Sequence, residues 1–330
     1  MASQASPANR ASRAVASESV KDDLLGSFEG RVGNYKVDYA SIEELEINLG
    51  RGSTAYVNKA MWNGTPVALK TFNEPGNVEF EREVLTLSGL SHPNVVSLLC
   101  YAMDKRKCSI VLELMEADLC NMMQKRMDNA DTDDCPPFHI AEAVDIIHQI
   151  AEGMNYLHQK RIIHRDLKSL NVLITGLKTG QVRAKVADFG LCKTKERSIT
   201  NSNLTPNTGT YRWMAPEVIQ TRNKDGQINT PQCIDSLKYP FKIDLYSFAM
   251  VCCEILTGEV PFKDTGSPAS VKAKVLKGDR PELPPHCPGE LKALIELCWD
   301  KEPNVRPSFS VVCEKLKSIK SSLTRGELIM

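Results

Sequence analysis
The chain has 330 residues, enough for one large domain or for two lobes with separate cores. Apolar residues make up 42% and charged residues 25%, an ordinary globular balance. Lys+Arg and Asp+Glu cancel at 41 each, which excludes a general attraction to nucleic acid or to a membrane surface and leaves charge recognition to local patches.

In chain order, residues 1–40 read as a disordered polar tail. Its first 17 residues carry Arg10, Arg13 and several serines without an acid, as an organellar transit peptide does, but lack a clear amphipathic pattern. From Leu45 the segments ELEINL, AYVNKAMW and TPVALKTF read as three strands in hairpin succession. In NVEFEREVLTLSGL, Phe80, Val84 and Leu87 recur at helical spacing. VVSLLCY and CSIVLELM are two further strand candidates.

After Met115 the character turns helical. Across residues 139–160, Ile140, Ala143, Val144, Ile147, Ile150, Ala151, Met154 and Leu157 mark one buried helix face. FAMVCCEIL, LKALIELCW and FSVVCEKLKSI add more helices. A sheet-rich segment followed by a helix-rich one implies two lobes. MDNADTDDCPPF holds Asp128, Asp131, Asp133 and Asp134, yet no Gly or terminal Glu falls where a calcium loop needs it, so it reads as a solvated loop. Residues 192–208 and 220–238 are polar loops.

Residue types with phosphate chemistry recur through this frame. Gly50-Arg51-Gly52-Ser53-Thr54-Ala55-Tyr56-Val57 lies between two strands, and its glycines let backbone N–H groups approach phosphate oxygens. A glycine pair alone is often a plain hairpin turn. Lys70 ends the apolar strand VALK, which is costly without a partner, and Glu83 of the next helix can supply one. HRDLKSLN is more specific: Asp166 can accept a hydroxyl proton, Lys168 can steady a transferring phosphoryl group, and Asn171 offers a neutral oxygen to a hard metal ion. Asp188-Phe189-Gly190 adds a second metal-binding oxygen. Together these are the parts for in-line phosphoryl transfer.

The order glycine loop, VALK, HRDLKSLN, DFG and APE (Ala215-Pro216-Glu217) resembles the eukaryotic protein-kinase family from about Leu45 to Leu323. GTYRWMAPE and CWDKEPNVRPSF resemble its tyrosine-kinase-like group, with its Raf-like and mixed-lineage members. The resemblance implies an α+β, bilobal fold, with a small β-rich N-terminal lobe over 41–115 bearing one main helix and a larger, mostly helical C-terminal lobe over 116–323. Residues 324–330 are then a C-terminal tail. It implies ATP and Mg²⁺ as cofactors.

It also implies roles. Lys70 holds the phosphates and pairs with Glu83. Asp166 is the base and Lys168 stands beside the γ-phosphate. Asn171 and Asp188 bind magnesium. Leu49, Gly50, Arg51, Gly52, Ser53, Val57, Ala68, Glu113, Met115 and Leu173 surround the nucleotide. Leu112 corresponds to the gatekeeper, with Glu113 to Met115 as the hinge. Leu87, Leu98, His164 and Phe189 resemble the apolar column of an active kinase, and Glu217 with Arg306 its buried ion pair. Lys168 and Thr210 point to serine and threonine as acceptors, and tyrosine stays open as a minority product. Ala55 departs from the family's third glycine, and Ala249 from a glycine in the helix after Asp244. The 220–238 segment is longer than usual.

The resemblance further implies that Arg165 receives a phosphate from the segment between Asp188 and Glu217, where Ser198, Thr200, Ser202, Thr205 and Thr208 are the candidates, with Thr205 and Thr208 favoured for their position near GTYRW and an upstream kinase or autophosphorylation as the source. Protein substrates are the implied partners. The rival reading is a pseudokinase scaffold or ATP-binding switch; against it, all five of Lys70, Glu83, Asp166, Asn171 and Asp188 are present. A small-molecule kinase is opposed by APE, Arg306 and GTYRW. Eleven cysteines without a CxxC pair read as reduced thiols in a cytoplasmic protein. No run approaches the ~20 apolar residues of a membrane helix.

Overall fold
The computed structural model describes residues 28–52, 54–74, 77–130, 135–177, 179–189, 193–194, 210–220 and 238–325. They belong to two compact units, one formed by Met1–Leu90 with Ser97–Leu114, the other by Ser91–Val96 with Met115–Met330.

The first unit is built on a six-stranded sheet of β1 (Lys36–Val37), β2 (Ile42–Arg51), β3 (Ala55–Trp62), β4 (Thr65–Phe72), β5 (Leu98–Met103) and β6 (Cys108–Glu113). The strand order is β1-β5-β6-β4-β3-β2. β1 runs parallel to β5 and the other pairs are antiparallel. Strand alternation sorts the side chains by face. Ala60, Val67, Leu69, Cys100 and Val111 form one buried cluster. Phe72 and Tyr101 instead meet helix α1 (Val78–Leu87) through Phe80. That helix begins at Asn77, whose side chain accepts the Glu79 N–H at 2.7 Å, a standard N-cap. Residues 28–40, placed in the tail by sequence, are ordered here. A helical turn at 28–32 buries Phe28 and Val32, and β1 joins the sheet.

The second unit carries α2 (Leu119–Asp128), α3 (Ile140–Gln159), α4 (Pro216–Gln220), α5 (Lys242–Thr257), α6 (Pro268–Lys277), α7 (Gly289–Cys298) and α8 (Phe309–Arg325). Helix α3 buries the periodic face read from the sequence, and α8 packs along it. Every residue of α5 from Ile243 to Leu256 is buried, so this helix is enclosed all round instead of presenting one solvent face. It ends at Gly258 in the left-handed region, φ 75°, which suits glycine. Short strands β7 (Ala117–Asp118), β8 (Ile162–Ile163), β9 (Val172–Thr175), β10 (Arg183–Val186) and β11 (Lys193–Thr194) frame the loops that carry the polar motifs. β9 pairs with both β7 and β10, so the segment after HRDLKSLN is anchored on two sides.

Candidate active site
In the first unit, the Lys70 ammonium donates to both Glu83 oxygens, at 2.9 and 2.7 Å. Glu83 is 1% exposed, and a buried carboxylate of this kind needs its cation. Strand register and helix phase together produce the pair. Lys70 lies between Val57 of β3 and Ile110 of β6. Glu83 projects from the helix face that also buries Phe80, Val84 and Leu87.

The glycine loop turns at Gly52, whose N–H donates to the Ala55 carbonyl at 2.8 Å. Gly50 is half-buried, and Arg51 and Gly52 are exposed. Leu49 is exposed too, Val57 is half-buried and Ala68 buried. Leu112 pairs with Ala68, and the Glu113 carboxylate accepts the Ser97 N–H at 2.7 Å.

In the second unit, Lys168 donates to the Asp166 carboxylate at 2.7 Å. The Asn171 amide donates to the Asp166 carbonyl at 2.7 Å and to its carboxylate at 3.0 Å. The Ala187 N–H donates to the Asn171 carbonyl at 2.9 Å, which ties the residue before Asp188 to this loop. The His164 ring bonds the Ala187 carbonyl at 2.9 Å and lies edge-on to Phe189 with centroids 5.7 Å apart. Asp166, Lys168 and Asn171 are thus one hydrogen-bonded cluster, with the Ala187 backbone, next to Asp188, laced to it. Leu173 is half-buried on β9, and Met115 begins the chain's return into this unit. Asn171 and Asp188 offer hard oxygens, the donor chemistry magnesium prefers when phosphates and water complete its shell. Among the described residues no group of three or more His, Cys, Asp or Glu is placed to hold a metal.

Two backbone strains mark this loop. Arg165 and Asp188 adopt φ of 71° and 63°, the left-handed region that non-glycine residues rarely enter. Asp244, fully buried on α5, secures the first of them. Its carboxylate accepts the His164 and Arg165 N–H groups, both at 2.9 Å, and contacts His158 Nε2 at 2.8 Å. Burial alone would raise the Asp244 carboxyl, but the bonds from His158 and the charges and backbone around it hold it below its ordinary value.

Glu254, further along α5, joins the same framework. It accepts Ser169 Oγ at 2.6 Å and Trp213 Nε1 at 2.7 Å, linking the loop to GTYRW. Glu217 and Arg306 form the expected pair, bidentate at 2.7 and 3.0 Å, with the guanidinium 1% exposed. Asp244, Ser169 and Glu254 escaped the reading of the sequence. Their signal was present, since an acid in an otherwise apolar helix needs a buried partner. Leu87 is buried and Leu98 half-buried in the first unit. Ser53, Gly190, Asp131, Asp133, Asp134, the five candidate phosphosites and the longer segment at 221–237 lie outside the described residues.

A profile described as protein tyrosine and serine/threonine kinase matches residues 44–316, and the chain belongs to that family. It carries the family's α+β, bilobal fold, a β-sheet lobe with one main helix and a helical lobe. A light-sensor protein kinase of Ceratodon purpureus is 54% identical over 318 residues, covering 92% of this chain and 24% of its own length. The serine/threonine-protein kinase VIK of Arabidopsis thaliana is 35% identical over 289 residues, covering 83% of this chain and 59% of its own. Mitogen-activated protein kinase kinase kinase 7 of Drosophila melanogaster is 31% identical over 296 residues, covering 88% and 39%. These relatives fit the tyrosine-kinase-like grouping. The chain spans less than two thirds of the length of each.

Proposed function
We propose that the chain transfers the γ-phosphoryl group of Mg-ATP to serine and threonine hydroxyls of protein substrates. The observation that carries the reading is the Asp166–Lys168–Asn171 cluster, because it holds a carboxylate with a cation bonded to it on a loop fixed by buried bonds. In the proposed reaction Asp166 accepts the proton of the substrate hydroxyl. The hydroxyl oxygen bonds to the γ-phosphorus as the bond to the β–γ bridging oxygen breaks, and ADP leaves. Lys168 orients Asp166 and neutralises charge on the transferring group. Lys70, held by Glu83, binds the α- and β-phosphates. Asn171 and Asp188 would hold magnesium, which when bound supplies charge neutralisation across the phosphate oxygens. Little covalent work falls to the protein in such a transfer.

The backbone of Gly50, Arg51, Gly52 and Ser53 is assigned to the phosphates. Leu49, Val57, Ala68 and Leu173 are assigned to the adenine faces, with backbone groups from Glu113 to Met115 at its edge. Activation by phosphorylation among Ser198, Thr200, Ser202, Thr205 and Thr208, by an upstream kinase or by the chain itself, belongs to the same proposal, as does a cytoplasmic setting. No helix among the described residues is long and apolar enough to cross a membrane.

Phosphate transfer from labelled ATP to a generic basic protein tests this. Wild type should label serine and threonine, Asp188→Asn should label nothing, and phosphatase treatment of the enzyme should lower the rate. Equal labelling by wild type and Asp188→Asn contradicts the catalytic reading. A predominantly phosphotyrosine product contradicts the acceptor, and full activity after dephosphorylation contradicts the activation step.

A further inference from the structure
We infer that residues 28–43 are a built-in brace for the Lys70–Glu83 pair, and that Phe28 is a positioning residue for phosphoryl transfer; the inference rests on the kinase reading above. The family match begins at residue 44, so this segment is an addition to it. Yet the segment is bound into the first unit at both of the elements that carry the pair.

Phe28 is 2% exposed. Its ring lies 6.0 Å from that of Phe80 and 5.5 Å from that of Tyr101. Phe80 stands one helical turn before Glu83 on the same buried face of α1. The Tyr35 hydroxyl donates to the Ser88 carbonyl at 3.4 Å, just past the other end of α1. β1 adds a parallel edge to β5 at Tyr101 and Ala102. On the strand side, the Tyr39 hydroxyl donates to Ser109 Oγ at 2.8 Å, and Ser109 Oγ bonds Thr71 Oγ1 at 2.8 Å. Thr71 is the neighbour of Lys70 on β4. Lys107 covers the Tyr39 ring from 4.7 Å.

The physical consequence follows from the length of α1. A ten-residue helix does not hold its place by its own hydrogen bonds. Packing positions it, and two of the aromatic contacts around Phe80 run to Phe72 and Tyr101 on the sheet, while a third runs to Phe28. Removing the Phe28 ring leaves a void against the turn of helix that carries Glu83. A small shift of that turn lengthens two bonds of 2.7 and 2.9 Å on which the Lys70 ammonium depends. Misplacement of about 1 Å in a phosphate-positioning group costs up to about 100-fold in rate.

The test uses the full chain, with steady-state kinetics on a generic basic protein and calorimetric Mg-ADP affinity measured side by side. Phe28→Ala should lower kcat/KM for ATP about 10- to 100-fold and weaken Mg-ADP binding, with the KM for the protein substrate unmoved. Phe28→Leu should restore most of the loss. In a Glu83→Gln background, where the pair is already broken, Phe28→Ala should change neither quantity by more than about twofold. Full wild-type kinetics in folded Phe28→Ala overturn the inference. So does an undiminished loss in the Glu83→Gln background, which means that Phe28 acts on general stability alone. Should Phe28→Ala not fold, Phe28→Val, which removes the ring but leaves less of a void, carries the same comparison against wild type and Glu83→Gln. Should wild type transfer no phosphate, the kinase reading fails, and Mg-ADP affinity across the same variants still decides the brace.

Discussion

Asp244 and Glu254 share one buried helix, yet their surroundings push them to opposite sides of the ordinary carboxyl range. Asp244 collects donors. Glu254 is raised from 4.5 to about 7, because burial outweighs its bonds from Ser169 and Trp213. For Glu254 the native state therefore binds the proton more tightly than the unfolded chain does. Its contribution to stability is fully present below about pH 4.5 and is lost as pH rises through 7. Glu254→Gln keeps an acceptor for Trp213 and a donor toward Ser169 without the charge. Urea unfolding of the two proteins should show wild type losing roughly 3 kcal/mol relative to the variant between pH 5 and 8. A pH-independent difference contradicts this account. At this scale the polar motifs were legible, since Lys70, Glu83, Asp166, Lys168 and Asn171 each carry a side chain that phosphate chemistry uses. Asp244 and Glu254 were less so, because their partners, two backbone N–H groups, an imidazole, a serine and an indole, lie far from them in the sequence and no local pattern points from the helix to them.

Helix α3 shows what periodicity reveals and what it leaves hidden. Its apolar stripe announced a long buried helix, and the helix runs from Ile140 to Gln159. Gly153, in its middle, has no helix-forming virtue; alanine there would ordinarily gain about 1 kcal/mol. The structure supplies the reason for glycine. A Cβ at this position would run into the Asn94 carbonyl oxygen and lie 3.2 Å from Val186 Cγ2. Asn94 is itself committed, its carbonyl accepting the Val186 N–H at 2.9 Å and its amide donating to the Ala184 carbonyl at 3.0 Å. Gly153→Ala should therefore destabilise the chain by about 1–3 kcal/mol in denaturant unfolding, against its helix propensity. A stabilised variant contradicts the close packing described here. The 28–40 segment was missed for a related reason. Its single buried phenylalanine and two-residue strand are too short to give a period, and their order comes from the sheet and helix they dock on.

At the scale of the whole molecule, the change from alternating to helical hydrophobicity near Met115 coincides with the passage from one compact unit to the next. That transition was readable because strands and helices repeat at different intervals. The return of Ser91–Val96 to the second unit was not, since it depends on Val96 and Val186 exchanging backbone bonds with Val186 and Asn94 across distant sequence. Each of the relatives compared is longer than the segment it shares with this chain.

The most direct measurement is phosphate transfer by Asp166→Asn, with Mg-ADP affinity determined on the same preparation. The amide still fits between Lys168 and Asn171 but cannot take the hydroxyl proton. Nucleotide affinity should stay within about twofold of wild type, and transfer should fall about 100-fold or more. Undiminished transfer would contradict the assignment of Asp166 as the base, and with it the reading of this cluster as a catalytic centre.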